Sequence, residues 1–388
     1  MKILGIETSC DETTAAVVED GAKILSNVVV SQIDIFAEYG GVIPEVAARS
    51  HLEVMLPVID KALSDASCTW DDIDAIAVTH APGLLGSLLI GTLTARTLAV
   101  LHDKPLYAVH HLNSHVYANW LKMENQNSTF STCSFAPVDQ RSSASQGAVV
   151  TGLSRSKRSP LVAHGLESTI SGFPFFPILA LVISGGHTQI LYMKGHDQFE
   201  IVGTTKDDAV GECFDKAAKI LGLPYPGGPA IAKAAKSGDA NKYKFPHPKV
   251  EGLDFSFSGL KTAMLRAVQK EVGVPISYPS HKLKELLNEQ QVADFAASFQ
   301  KTAMEILCEK LDLALEKYPD AKSVVVAGGV SANEVLRGML PEAFFPAPSL
   351  SGDNGAMVGV ACYYEIQAGA KPVDPYKLNI YPRISIEN

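Results

Sequence analysis

Lys2-Ile3-Leu4-Gly5-Ile6-Glu7-Thr8-Ser9-Cys10-Asp11-Glu12-Thr13-Thr14-Ala15-Ala16-Val17-Val18 is apolar over residues 3–6, polar over 8–13 and apolar again over 15–18. Asp20-Gly21 then supplies a hairpin turn before Ile24-Leu25. Short apolar runs separated by turn residues read as a meander of strands. The same order returns at residues 179–183, the turn Ser184-Gly185-Gly186-His187, residues 189–193, the turn Gly195-His196-Asp197 and residues 199–202. Two copies of one meander predict an internal duplication.

Outward from these two starts, strand and helix alternate: residues 76–79 then 83–101, 106–109 then a helix from about Asn113, and 324–327 before a helix at Asn333. Such alternation predicts α/β layering. Apolar periodicity marks further helices over 44–63 and 287–315. The expected division is a first lobe over 1–120, completed by 354–388, and a second lobe over 177–353, with 121–176 between them. Residues 126–171 carry 11 serines and the basic cluster Arg155, Lys157 and Arg158. They read as a flexible insertion, a solvated loop or an RNA-touching arm.

At 388 residues and 46% hydrophobic the chain is long and apolar enough to fold around a sizeable core. A formal charge of −9 argues against a free-standing basic nucleic-acid binder. Six widely spaced cysteines without a CxxC pair point to a reducing cytoplasm and away from a disulfide framework or cysteine-bound metal. Glu7 arrives before a signal-peptide core can form. The uncharged stretches 75–95 and 168–193 are interrupted by Pro82, Gly83, Pro174, Pro177 and Gly185-Gly186, so each reads as a buried strand with a neighbouring turn and not as a membrane span.

His111 and His115 are four residues apart, which on a helix projects both imidazoles from one face, as two metal ligands would. A third ligand must come from elsewhere. Asp353, in the Gly-bracketed turn Ser351-Gly352-Asp353-Asn354-Gly355, is the candidate, with a helix N-cap as the competing role. Two histidines and one carboxylate suit iron(II) or zinc and leave positions open for substrate. Neither a P-loop nor a G-x-G-x-x-G fingerprint is present, yet Gly185-Gly186, Gly227-Gly228 and Gly328-Gly329 all follow apolar runs or turns where backbone N–H groups can approach a nucleotide.

Several motifs occur in one order: Gly5-Ile6-Glu7-Thr8-Ser9-Cys10-Asp11-Glu12-Thr13, Gly41-Val42-Ile43-Pro44-Glu45, His110-His111-Leu112-Asn113-Ser114-His115, Ser184-Gly185-Gly186-His187-Thr188, Phe255-Ser256-Phe257-Ser258-Gly259-Leu260-Lys261-Thr262, Gly328-Gly329-Val330-Ser331-Ala332-Asn333 and Asp353-Asn354-Gly355-Ala356-Met357. Together they resemble the TsaD family, once described as O-sialoglycoprotein endopeptidases. The resemblance spans nearly the whole chain outside the serine-rich insertion. It implies a duplicated two-lobe α/β fold of the actin, sugar-kinase and heat-shock ATPase type.

It also implies transfer of threonylcarbamoyl from threonylcarbamoyl-AMP to the exocyclic amine of the adenosine 3′ of the anticodon, in tRNAs reading codons that begin with A. Carried over by motif, the metal ligands are His111, His115 and Asp353, holding one divalent ion, iron(II) ahead of zinc. Substrate contacts fall on Val182, Ile183, Ser184, Gly185, Gly186, Asp215, Gly228 and Asn333. Asp215 has a surface acid, and Asn333 a helix cap, as its alternative role. Asp11, Glu12 and His187 are the titratable residues of the paired turns and the candidates for moving the amine proton, Asp11 or Glu12 first, unless they only stabilise their turn.

The bacterial family works with a TsaB-like paralogue and a TsaE-like ATPase. The paralogue is expected on the helices over 44–63 and 83–101, with Val54, Leu56, Leu84, Leu88 and Leu89 among the apolar residues there. Lys233, Lys236, Lys242, Lys244, Lys249, Lys261, Arg266 and Lys270 form the dense basic stretch expected either to touch tRNA phosphates or to be a solvated face. A small-molecule carbamoyltransferase, a kinase of the same fold, a metallopeptidase and a non-enzymatic scaffold are the rival readings. The intact His111, His115 and Asp353 set speaks against the scaffold, and the absence of HExxH speaks against the peptidase.

Overall fold

The computed structural model describes residues 1–122, 130–132, 172–196 and 198–383. The opening meander forms as the alternation predicts: β1 (Lys2–Glu7), β2 (Glu12–Glu19) and β3 (Lys23–Ser31) are antiparallel neighbours. Asp20 and Gly21 both take positive φ, 50° and 64°, as a two-residue hairpin turn requires. β4 (Ala75–Ala81) lies parallel to β1 and β5 (Leu106–His110) parallel to β4. β6 (Phe130–Thr132) runs parallel to β3, giving the order β5-β4-β1-β2-β3-β6 among the described residues. Apart from those three residues, the segment 126–171, expected to be an insertion, lies outside the described residues.

The second sheet repeats the plan. β7 (Ile178–Ile183), β8 (Thr188–Gly195) and β9 (Gln198–Thr204) form an antiparallel meander, and β10 (Ser323–Ala327) lies parallel to β7. In each sheet the first strand of the meander sits between an antiparallel second strand and a later parallel one. The duplication read in the sequence is therefore present as matched strand topology.

Period-two alternation assigns the strand side chains to separate cores. From β1, Leu4 and Ile6 pack against α2 (Pro44–Asp65) and α3 (Leu85–Leu101) through Met55, Val58, Ile59, Ala95 and Leu98. Ile3 faces the other side, where α4 (His111–Tyr117) and α10 (Gly355–Gln367) contribute Leu112, Val116, Met357 and Val360. That same cluster takes Ile178, Ala180 and Val182 from β7, so α4 and α10 belong to a core shared by both sheets. The opposite face of β7, with Leu179, Leu181 and Ile183, packs with α5 (Val210–Leu221), α7 (Ser258–Glu271) and α8 (Glu289–Lys317). Full burial of side chains such as Phe295 and Phe299 of α8 contributes about 1.5–3 kcal/mol each before cavity terms.

One close approach fixes where α10 begins. A Cβ on Gly5 would stand 2.2 Å from the Gly355 carbonyl oxygen, and one on Gly355 would stand 2.6 Å from the Ala16 backbone nitrogen. Glycine at both positions lets the first turn of α10 lie directly on β1 and β2, and Asp353 is two residues ahead of it. Among the described residues no helix is long and apolar enough to cross a membrane: the stretch 75–95 is β4, a turn and the first part of α3, and residues 172–193 are irregular chain, β7, a turn and β8, while 168–171 lie outside the described residues.

Candidate metal centre and facing nucleotide cleft

The helix carrying the histidine pair starts at His111, two residues earlier than read from the sequence, so both imidazoles lie on it. Their rings are 4.6 Å apart. Asp353 Oδ1 reaches both, at 3.2 Å from His115 Nε2 and 3.8 Å from His111 Nε2. The residue capping α10 is Asn354, whose side-chain oxygen accepts a hydrogen bond from the Met357 N–H at 3.0 Å. Asp353 is thereby released from capping and faces the histidines.

His111 is held from behind. Its Nδ1 lies 3.3 Å from Glu7 Oε2 and 3.1 Å from Ser9 Oγ. Glu7, wholly buried at the end of β1, also accepts from the Thr79 hydroxyl and the Ser9 backbone N–H. A carboxylate on the remote nitrogen of a ligating histidine fixes its tautomer and raises its basicity. In the sequence Glu7 stands inside a motif with no role of its own. The available signal is an acid closing an otherwise apolar strand, which must find a partner once buried.

The donor set fits a divalent ion. One ligand atom from each of His111, His115 and Asp353 lies within 4.8 Å of the others, and this is the one such group among the described residues. Beyond the Asp353 oxygen 3.2 Å from Nε2, the ring nitrogens of the buried His115 make no hydrogen bond among the described residues. A buried polar atom left in that condition is costly, and coordination relieves it. Electrostatics agree with a cation site: burial pulls His111 down, yet Asp353 and Glu7 lift it to about 9. Burial raises Glu7 and Asp353, but the neighbouring His111 outweighs this and holds both carboxyls below their ordinary range.

The turn between β1 and β2 brings Asp11 and Glu12 to the same region. Asp11 is buried, and Glu12 opens β2 with its carboxylate accepting from Ser31 Oγ at 3.2 Å. Burial, then Asp11 and Asp353, push Glu12 well above the usual carboxylate range. His187 lies in the matching turn of the second sheet with its ring 6.5 Å from that of His111. Burial and the two neighbouring histidines hold it near 4, leaving it neutral and able to accept a proton.

From the second lobe, Ser184 and His187 close their turn by a 2.8 Å backbone hydrogen bond, leaving Gly185 and Gly186 exposed at its tip. Val182 and Ile183 are fully buried strand residues whose side chains pack into the two cores, so only their backbone can meet a ligand. Asp215 on α5 is half-buried, and its Oδ1 accepts from the Gly227 N–H at 2.7 Å. Gly228 is the second residue of α6 (Gly227–Ala235), with open space where a Cβ would be. Burial, then the charges of Asp11 and Asp215, push the Tyr225 phenol up.

Asn333 takes the capping role: its oxygen accepts from the Val335 and Leu336 N–H groups at the start of α9 (Glu334–Met339), and its amide donates to Gln300 at 2.9 Å. One amide hydrogen remains for a ligand.

Residues 23–133 and 156–360 match the sequence profile of the family described as TsaD, tRNA N6-adenosine threonylcarbamoyltransferase. Proteins of that name from Symbiobacterium thermophilum and Thermomicrobium roseum are similar to this chain. The first is 43% identical over 378 residues, covering 95% of this chain and 93% of that protein. The second is 42% identical over 384 residues, covering 96% and 93%. Among solved structures, (R)-2-hydroxyglutaryl-CoA dehydratase component A from Acidaminococcus fermentans aligns with a TM-score of 0.43 at 14% identity, over 95% of this chain and 99% of that one.

Proposed function

Because this chain belongs to the TsaD family of tRNA N6-adenosine threonylcarbamoyltransferases, we propose that it moves the threonylcarbamoyl group of threonylcarbamoyl-AMP onto N6 of the adenosine 3′ of the anticodon, in tRNAs reading ANN codons. The observation that carries the site assignment is the convergence of His111, His115 and Asp353 beside the Asp11-Glu12 turn, with His111 backed by Glu7. His111, His115 and Asp353 would hold one divalent ion, iron(II) first and zinc second, which would supply Lewis-acid polarisation when bound.

The chain's own residues do the rest. An acyl adenylate already carries a good leaving group, so the main tasks are to place a weakly nucleophilic amine and to hold developing charge. Gly185, Gly186 and Gly228 offer backbone N–H groups to the phosphate, beside the Ser184 hydroxyl, and the free oxygen of Asp215 accepts a ribose hydroxyl. Asp11, Glu12 and neutral His187 are the groups placed to accept the amine proton, with burial and the neighbouring acids strengthening Glu12's hold on a proton.

The family resemblance brings two partners. A TsaB-like paralogue docks on α2 and α3, where Leu52, Leu56, Leu85, Leu89 and Leu93 are exposed. Of the residues expected there, Leu88 is instead fully buried and Val54 packs on the core. A TsaE-like ATPase assists turnover. Exposed Lys233, Lys242, Lys244 and Lys249 form the phosphate-facing surface for tRNA, while Lys261 is drawn toward Asp208 at 3.8 Å.

The test combines the protein and its partners with radiolabelled threonine, bicarbonate, ATP, the synthase that forms the adenylate, and unmodified tRNA. Label in the tRNA nucleoside at the position 3′ of the anticodon is the expected result. Label that stays in small molecules overturns the reading.

A further inference from the structure

The backbone carbonyls of the acidic turn are held by donors from α2, α3 and the end of β3. The Ser9 carbonyl accepts from the Leu84 N–H at 2.7 Å and the Asp11 carbonyl from the Gln32 N–H at 3.1 Å. The Cys10 carbonyl takes two donors, Ser87 Oγ from α3 at 3.0 Å and His51 Nε2 from α2 at 3.0 Å. Ser87 makes a second bond on the β1 side, its carbonyl accepting from the Thr8 hydroxyl at 2.9 Å, whereas His51 makes its second bond on the β2 side, with Nδ1 2.7 Å from Thr13 Oγ1.

A carbonyl only accepts, so the ring proton is on Nε2 and Nδ1 receives the Thr13 hydroxyl. One rigid imidazole, with no exposure to solvent, therefore bridges Cys10 and Thr13, the residues on either side of Asp11 and Glu12.

We propose that His51 is a positioning residue for the transfer reaction, a strut that sets the Asp11-Glu12 turn at its working distance from the histidine pair. The proposal deepens the proposed transferase function and rests on it for the role of the turn. The ring's two nitrogens point in diverging directions at a fixed separation and so hold both sides of the acidic pair at once. Removing the ring leaves Ser87 on the Cys10 carbonyl and Thr13 paired with Val30, so the turn persists while the Thr13 side chain loses its bond.

The fully reconstituted enzyme with metal and partners is the material for the test, using His51→Ala, His51→Gln and His51→Gly. For the alanine variant kcat should fall at least about tenfold at a temperature where the protein is folded, with KM for tRNA within about twofold and bound metal unchanged. Added imidazole should restore kcat of the glycine variant. Independently of activity, amide hydrogen exchange at residues 10–13 should quicken in all three variants while the rest of β1 and β2 stays protected. Unchanged exchange at the turn together with kcat per folded molecule within twofold of the parent would overturn the proposal. Should the alanine variant fail to fold, the glutamine variant, which keeps one of the two bonds, supplies the same comparison. If the parent enzyme itself transfers nothing to tRNA, the functional reading fails and the exchange measurement alone decides the role of His51.

Discussion

Glu7 Oε2 lies 3.3 Å from His111 Nδ1, although 104 residues separate the two in sequence. The contact ties the last residue of β1 to the first residue of α4 and turns His111 Nε2 toward Asp353. Replacing Glu7 by Gln keeps an acceptor but removes the charge that strengthens the imidazole as a ligand. Metal affinity should fall about 10- to 100-fold, read by competition with a chelator of known affinity. An unchanged affinity would mean that Ser9, 3.1 Å from the same nitrogen, suffices to orient the ring.

The exposed leucines of α2 and α3 separate surface from core one residue at a time. Leu56 is 58% exposed and Leu89 is 42% exposed, while Leu88 is fully buried. Leu56→Glu or Leu89→Glu should abolish co-purification with a TsaB-like partner and leave metal content and melting temperature near those of the parent. Leu88→Glu, by contrast, buries a charge and should unfold the protein. Normal pull-down by both surface variants would place the partner elsewhere.

Strand positions were legible in the sequence because each turn of the meander is marked by Gly, Asp or Ser, and the His111, His115 and Asp353 set was legible from helical spacing and one Gly-bracketed acid. The inward face of α3 was not legible: the helix is apolar nearly all round, so periodicity does not distinguish Leu88 from Leu89. Glu7 and His51 acquire their roles only through partners far along the chain, and no local pattern announces them. A helix cap was an alternative role for both Asp353 and Asn333, and which side chain caps depends on the local turn: Asn354 caps α10 in place of Asp353, whereas Asn333 caps α9 itself.

Glu365 near the end of α10 accepts a hydrogen bond from Asn113 at 2.8 Å. Burial lifts its carboxyl from 4.5 to about 7, against the opposing pull of that hydrogen bond. The folded state therefore binds a proton more tightly than the unfolded chain. Between about pH 4.5 and 7 the native form holds more protons, so this group's contribution to stability is present at the acid end and is lost as pH rises through 7. Glu365→Gln should abolish that slope. Chemical denaturation of both proteins across this window measures it, and parallel curves would show that Glu365 titrates alike in both states.

Gly355 is the contact on which Asp353 depends. In Gly355→Ala the new Cβ would meet backbone on two sides, 2.6 Å from the Ala16 nitrogen and 2.7 Å from the Gly5 oxygen, and neither strand can yield as a side chain would. α10 must then back away from β1 and β2, at a cost of about 1–3 kcal/mol typical of overpacking. Because Asp353 stands two residues before Gly355 while His111 and His115 ride on α4, the displacement separates the carboxylate from the imidazoles. The expected result is a lowered melting temperature together with weakened metal binding in protein that is still folded. Gly352→Ala is the matched control, since nothing lies within 4 Å of the added methyl and the helix contact is untouched. A Gly355→Ala protein that loses stability but binds metal as tightly as the parent would show that Asp353 is positioned by its own turn and not by the packing of α10.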